Sequence, residues 1–157
     1  MQLSAGILLY RFTNRHLEVL IAHPGGPFWK NKDLGAWSIP KGEFLPGQDP
    51  LNAAMREFHE ETGHKLNASP ADFITLTPVK LRTSKLVHAF ALEKDLDVSN
   101  IKSNTFELEW PPRSGKKQQI PEIDRAEWHD LPTSKQKLHP SQALLVEELI
   151  RKLGVRG

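Results

Sequence analysis

The stretch from Asp49 to Gly63 constrains this chain more than any other. Asp49 suits a helix N-cap, and Pro50 suits the first helical position because its missing N–H would be unpaired there anyway. Gly63 suits a left-handed C-terminal cap. Between them Leu51, Ala54, Met55, Phe58 and Thr62 recur at i, i+3, i+4, i+7 and i+11, a mostly apolar stripe that must be buried. Another sector carries Glu57, Glu60 and Glu61. At about 100° per residue, the i, i+3, i+4 spacing brings these three carboxylates together. Like charges so placed cost roughly 0.2–0.5 kcal/mol per pair on an isolated helix, and they lie in the half where the helix dipole disfavours anions. On spacing alone Arg56 points away from the sector and Lys65 lies beyond Gly63, so the helix offers no compensation of its own. A solvated acidic face is the ordinary reading of such a trio; a seated cation is the alternative.

The preceding residues favour the cation. Ala36–Pro40 reads as a short extended piece, and Lys41 to Gln48, with two glycines and Pro46, as a charged loop. Gly42 leaves its carbonyl sterically open to a ligand. Three carboxylates beside such a carbonyl form an all-oxygen set, suited to Mg²⁺, or Mn²⁺ in its place, and such ions usually bind substrate phosphates as well. Metal-assisted phosphate chemistry is therefore the leading expectation.

The rest of the chain reads as one mixed α/β domain over residues 1–157. Ser4–Tyr10 and Leu17–His23 are apolar runs joined by a polar stretch, a β-hairpin pattern. Pro24 to Gly35 loses periodicity and reads as a loop. Asp72–Lys80 and Lys85–Leu92 read as strands, and Thr105–Trp110 alternates, with Phe106, Leu108 and Trp110 on one side. Pro111 to Pro121 reads as a second loop, Arg125–Leu131 as a short strand. A final helix capped by Ser141 buries Leu145, Val146, Leu149, Ile150 and Leu153 and ends at Gly154.

Composition narrows the function classes. The 157 residues contain no cysteine, which excludes disulfide frameworks, thiolate zinc sites and cysteine nucleophiles. A cytoplasmic protein is the natural expectation. The 21 basic residues exceed the 19 acidic ones too slightly to argue for nucleic-acid or membrane binding by bulk charge. The apolar run Ala5 to Tyr10 is too short to span a membrane and lacks the basic lead of a signal peptide. No P-loop, dinucleotide fingerprint or Ser-His-Asp motif is present. Oligomeric state is not legible.

Residues 42–64 resemble the Nudix box: Gly, five residues, Glu, seven residues, then Arg-Glu-apolar-x-Glu-Glu-x-Gly-apolar. Gly42, Arg56, Glu57, Phe58, Glu60, Glu61 and Gly63 fall in register. Gln48 stands where the pattern has its first Glu, and His64 replaces the closing apolar residue. Gln48 can hydrogen-bond to Arg56 but cannot neutralise it or ligate strongly. The order of hairpin, loop, box helix, strands and final helix is similar to the whole Nudix domain, which implies an α/β/α sandwich with a mixed sheet. The resemblance further implies a Mg²⁺-dependent pyrophosphohydrolase acting on a small nucleotide. Nucleoside triphosphates or dinucleoside polyphosphates are expected; the resemblance of Trp37-Ser38-Ile39-Pro40-Lys41-Gly42-Glu43 to the box entry of diadenosine-polyphosphate hydrolases supports the latter. Capped RNA 5′ ends, nucleotide sugars and inositol pyrophosphates, and a non-catalytic nucleotide-binding module, are the alternatives. Glu57, Glu60, Glu61 and the Gly42 carbonyl would hold the metal, and Arg56 would orient the carboxylates.

Relatives often draw a further Glu, as ligand or base, from a later loop or strand. Glu122 is the first candidate because it lies in a polar loop shortly before Trp128, with Glu107 and Glu109 behind it. Lys41, beside the box, and Lys85, at a strand start, are candidates to neutralise phosphate. Arg113, Lys116 and Lys117 form a basic cluster that reads equally as a substrate lid or a surface loop. Trp37 and Trp29 are the candidates to stack a base, because alternation assigns Trp110 and Trp128 to the core.

Overall fold

The computed structural model describes residues 1–155. Its first hairpin turns on two residues, Asn14 and Arg15, both with positive φ (51° and 67°), the conformation whose twist matches that of the flanking strands. It joins β1 (Gln2–Thr13) to β2 (His16–Pro24). β1 runs parallel to β6 (Lys85–Glu93) from Gln2↔Lys85 to Tyr10↔Glu93. Its opposite edge is shared. The second half pairs with β2, and the first half with β3 (Lys41–Phe44) in the register Ser4↔Glu43 and Gly6↔Lys41. The chain after Pro40, expected as a loop, is therefore a strand at its start: the free edge of β1 satisfies its backbone groups.

β4 (Ile74–Thr75) and β5 (Val79–Arg82) pair antiparallel with β6, and β9 (Ile123–Asp130) with β2, completing a seven-stranded mixed sheet. Alternation along β1 divides the core in two. Ala5, Ile7 and Leu9 face one cluster, with Phe90, Leu92 and helix α1 (Pro50–Thr62); Leu8 and Tyr10 face the other, with Leu145, Val146 and Leu149 of α3 (Pro140–Leu153). Helices thus cover both faces, the expected sandwich. Phe58 is fully buried in the first cluster, and truncating such a side chain costs about 3–5 kcal/mol.

α1 is capped as the sequence requires: Asp49 accepts the N–H of Asn52, and Gly63 (φ 78°) closes the helix with its N–H on the His59 carbonyl. Other boundaries move. His139, not Ser141, caps α3, its ring accepting the Ser141 N–H. A short helix α2 (Leu131–Lys137), absent from the sequence reading, follows Asp130, which caps it through Thr133 N–H. The segment read as a loop from Pro111 is the return of a hairpin: β7 (Thr105–Glu109) pairs with β8 (Lys117–Pro121), and Arg113 and Lys116 sit at its turn. These two strands form a sheet of their own, so Phe106 is exposed and Trp110 only partly covered: alternation correctly marks a strand there but not a core. Trp128 is also only partly buried, its indole N–H donating to the Leu96 carbonyl and its face covered by Arg11. No described helix is long and apolar enough to cross a membrane.

Candidate active site

Where β3 leaves β1, a cavity of about 450 Å³ is lined jointly by the last turns of α1, by β3 and by the starts of β1 and β6. Glu57, Glu60 and Glu61 line it from the helix, Lys41, Gly42 and Glu43 from β3, and Ser4 and Lys85 from β1 and β6. Asn104 and Glu122 complete it from the two feet of the β7–β8 hairpin. Backbone bonds fix those feet: Asn104 N–H donates to the Glu60 carbonyl, and Glu122 N–H to the Asn104 carbonyl. A larger cleft of about 560 Å³, beside the β1–β2 turn, holds none of the box residues.

Gly42 shows why the first box position excludes a side chain. A Cβ there would collide with the Glu57 carboxylate, so the glycine admits Glu57 against the β3 backbone. Glu61 is buried (7 % exposed) and its Oε2 accepts the Lys41 N–H at 2.9 Å. Burial pushes its carboxyl up to about 8, against the downward pull of Lys41 and of that hydrogen bond. Glu57 is raised by desolvation and then by Glu60, with Arg56 opposing, and Glu122 by desolvation, with Lys41 opposing. The Lys41 ammonium is pushed down by its own burial and by Lys85. Desolvation is the first cause of all three carboxylate shifts, so burial in the cavity outweighs the charges around them.

Arg56 corrects the reading from spacing alone. Its guanidinium curls back to Glu57 at 3.3 Å and Glu60 at 3.9 Å, so the helix does supply partial compensation. Its side chain faces a neighbouring groove shared with Gln48 rather than the cavity. Gln48 does not bond to Arg56: its Oε1 accepts the Leu45 N–H at 2.8 Å and locks the turn before the helix.

Trp37 does not reach the site. It is fully buried, its indole N–H donating to Asp33, with His23 at 5.1 Å, so it cannot stack a base. Trp29 is partly buried and packs edge-on against Phe28. Glu107 pairs with Lys117 and Glu109 accepts the Arg113 N–H, both on the hairpin and outside the cavity lining. Ser4, Glu43 and Asn104 line the cavity without having been singled out from the sequence. Only Ser4 carried a signal there, as a polar residue opening an apolar run.

The donor set fits a hard divalent ion by its chemistry, since carboxylates and one backbone carbonyl supply only oxygen. Among the described residues, no three carboxylate or imidazole groups are already gathered at metal-holding distance.

The NUDIX domain model matches residues 1–149. An octanoyltransferase from Myxococcus xanthus is 32% identical over 110 residues, covering 70% of this chain and 27% of that protein. An RNA pyrophosphohydrolase from Erythrobacter litoralis is 46% identical over 52 residues, 33% of this chain and 30% of that protein. The chain thus spans less than a third of the length of these curated relatives. Among solved structures, a Caenorhabditis elegans Ap4A hydrolase binary complex superposes with a TM-score of 0.62 at 20% identity, covering 98% of both chains, and so shares the fold. With the box residues in register and a family match along nearly its whole length, the chain belongs to the NUDIX domain family.

Proposed function

We propose that the chain is a divalent-cation-dependent pyrophosphohydrolase that cleaves a diphosphate linkage in nucleoside triphosphates or dinucleoside polyphosphates. The observation that carries this reading is the sharing of one cavity by five glutamates and two lysines. Members of this family generally use Mg²⁺, and Glu57, Glu60, Glu61 and the Gly42 carbonyl are the residues that would hold it. A bound divalent ion would supply charge neutralisation on the phosphates and acidify an attacking water.

The chain's own residues do the rest. Lys41 and Lys85 neutralise phosphate oxygens on the opposite wall. Arg56 holds Glu57 and Glu60 in place through charge-assisted contacts. Glu122, its carboxyl raised by desolvation with Lys41 opposing, takes the proton of the attacking water. An O–P bond forms at one phosphorus, the bridging P–O bond breaks, and the released phosphate leaves with the bridging oxygen.

Two further readings have one observation each. Gln48 at the first box Glu favours a module that binds nucleotide without turning it over. The partial likeness to an RNA pyrophosphohydrolase favours a 5′-phosphorylated RNA end as substrate. Phosphate release from a panel of nucleoside triphosphates, dinucleoside polyphosphates and 5′-triphosphorylated RNA separates all three. Turnover with Mg²⁺ that is lost with EDTA and falls at least about a hundredfold in Glu60→Gln is expected. Tight binding without metal-dependent turnover overturns the hydrolase.

A further inference from the structure

Ser4 carries the one side-chain polar atom that is buried without a hydrogen-bond partner among the described residues. The residue is 1% exposed, and a buried hydroxyl without a partner is unfavourable for the fold. A fold rarely leaves such a group empty-handed unless something outside the chain completes it. Ser4 also lines the cavity that holds the box carboxylates.

Strand register says what surrounds it. Ser4 pairs with Glu43 on β3 and with Val87 on β6. Val87 lies in the core on the α3 side of the sheet, as does Leu8, four residues on from Ser4 along β1; by alternation the Ser4 side chain points to that face. Lys85, two residues before Val87, shares it. So does Lys41, whose Cβ lies against the position a Cβ on Gly6 would take. The hydroxyl is therefore flanked by two ammonium-bearing side chains, one pairing step away on either neighbouring strand. Neither lysine forms an ion pair among the described residues. Glu43, directly opposite Ser4, brings one carboxylate to that face; the two ammonium groups outnumber it and, with an unsatisfied donor, suit an anion with several acceptor oxygens.

We propose that Ser4 is a substrate-binding residue whose hydroxyl donates to a non-bridging phosphate oxygen, fixing the phosphate chain on the β1–β3–β6 face between Lys41 and Lys85. The cavity is then two-sided: carboxylates on the helix wall, phosphate donors on the sheet wall. Its ligand is a compound with at least two linked phosphates, one for each wall. This rests on the proposed hydrolase reading only for the identity of the bond cleaved, not for the binding.

The test measures binding and stability separately. The full chain, with Mn²⁺, is titrated calorimetrically with a methylene-bridged analogue of a nucleoside triphosphate, for wild type, Ser4→Ala and Ser4→Thr. Ser4→Ala is expected to weaken binding about tenfold, the usual worth of a hydrogen bond to a charged group. Its thermal midpoint without ligand should stay level or rise, because the variant removes a buried group that had no partner. Ser4→Thr, which keeps the hydroxyl, should bind within about threefold of wild type. Equal affinity for Ser4→Ala and wild type overturns the proposal. So does weakened binding accompanied by a fall of several degrees in the midpoint, which is the signature of a hydroxyl that holds the fold. A Thr variant as weak as the Ala variant also overturns it, as does a wild type that does not bind the analogue. A wild type that binds the analogue with this pattern but hydrolyses no nucleotide sinks the hydrolase reading and supports the phosphate contact.

Discussion

The carboxylate of Glu57 occupies the space that a Cβ on Gly42 would need, so a residue of β3 and one of α1 share a single position. The obstacle to a larger residue at 42 is the end of a flexible side chain, not backbone. Gly42→Ala is accordingly expected to fold with a thermal midpoint within a few degrees of wild type while displacing Glu57. Affinity for Mn²⁺, measured by calorimetry, should fall about 10- to 100-fold. Unchanged affinity would show that the Glu57 position is immaterial to the metal.

Glu61 makes stability depend on pH in the metal-free protein. Its folded pKa, about 8, lies above the ordinary 4.5. The native state therefore holds a proton that the unfolded state releases, and stability falls as pH rises from about 4.5 through 8. The melting midpoint in EDTA should decline across that window, and Glu61→Gln should flatten the decline. Because metal binding needs the ionised form, Mg²⁺ affinity should rise over the same range, with proton release visible as a buffer-dependent heat.

Glu122 and Glu109 offer a paired test of the distal carboxylate. Glu122 lines the cavity, whereas Glu109 caps the turn of the outlying hairpin through Arg113 N–H. Glu122→Gln is expected to lower kcat about 10²- to 10⁴-fold, with a smaller change in KM. Glu109→Gln should leave both within about twofold of wild type. Equal losses in the two variants would remove Glu122 from the chemistry.

Trp37 is a stability residue. Replacement by Ala should cost about 3–5 kcal/mol in urea unfolding, as for other buried aromatics. Replacement by Phe should cost less and leave KM for nucleotides close to wild type. A selective rise in KM with unchanged stability would restore a base-stacking role.

The box helix was legible because its signals are local. Caps, a 3.6-residue stripe and carboxylates at i, i+3 and i+4 all lie within one another's reach along a single helix. Spacing misplaces Arg56 because it gives only the direction of a Cβ, whereas the guanidinium on its long stem doubles back to Glu57 and Glu60. The β7–β8 hairpin was half read, its first strand announced by alternation and its second hidden behind the Pro-rich and basic turn. The sequence offers three distal glutamates; Glu122 lies at the hairpin's foot beside the box, while Glu107 and Glu109 stand out along the arm.

By itself the sequence determined one helix with an apolar face and a carboxylate face, the absence of sulfur ligands, and the mixed α/β pattern around them. Tertiary structure decided what meets those carboxylates. Parallel pairing of β1 with β6 and the short edge pairing with β3 bring Ser4, Lys41 and Lys85 to one face, and the hairpin's feet bring Asn104 and Glu122. It also decided that Trp37 is buried. Strand register turns each side chain toward one face or the other, and a shift of one residue would reverse every assignment. That register is set by the packing of the whole sheet, which no local stretch of the chain contains.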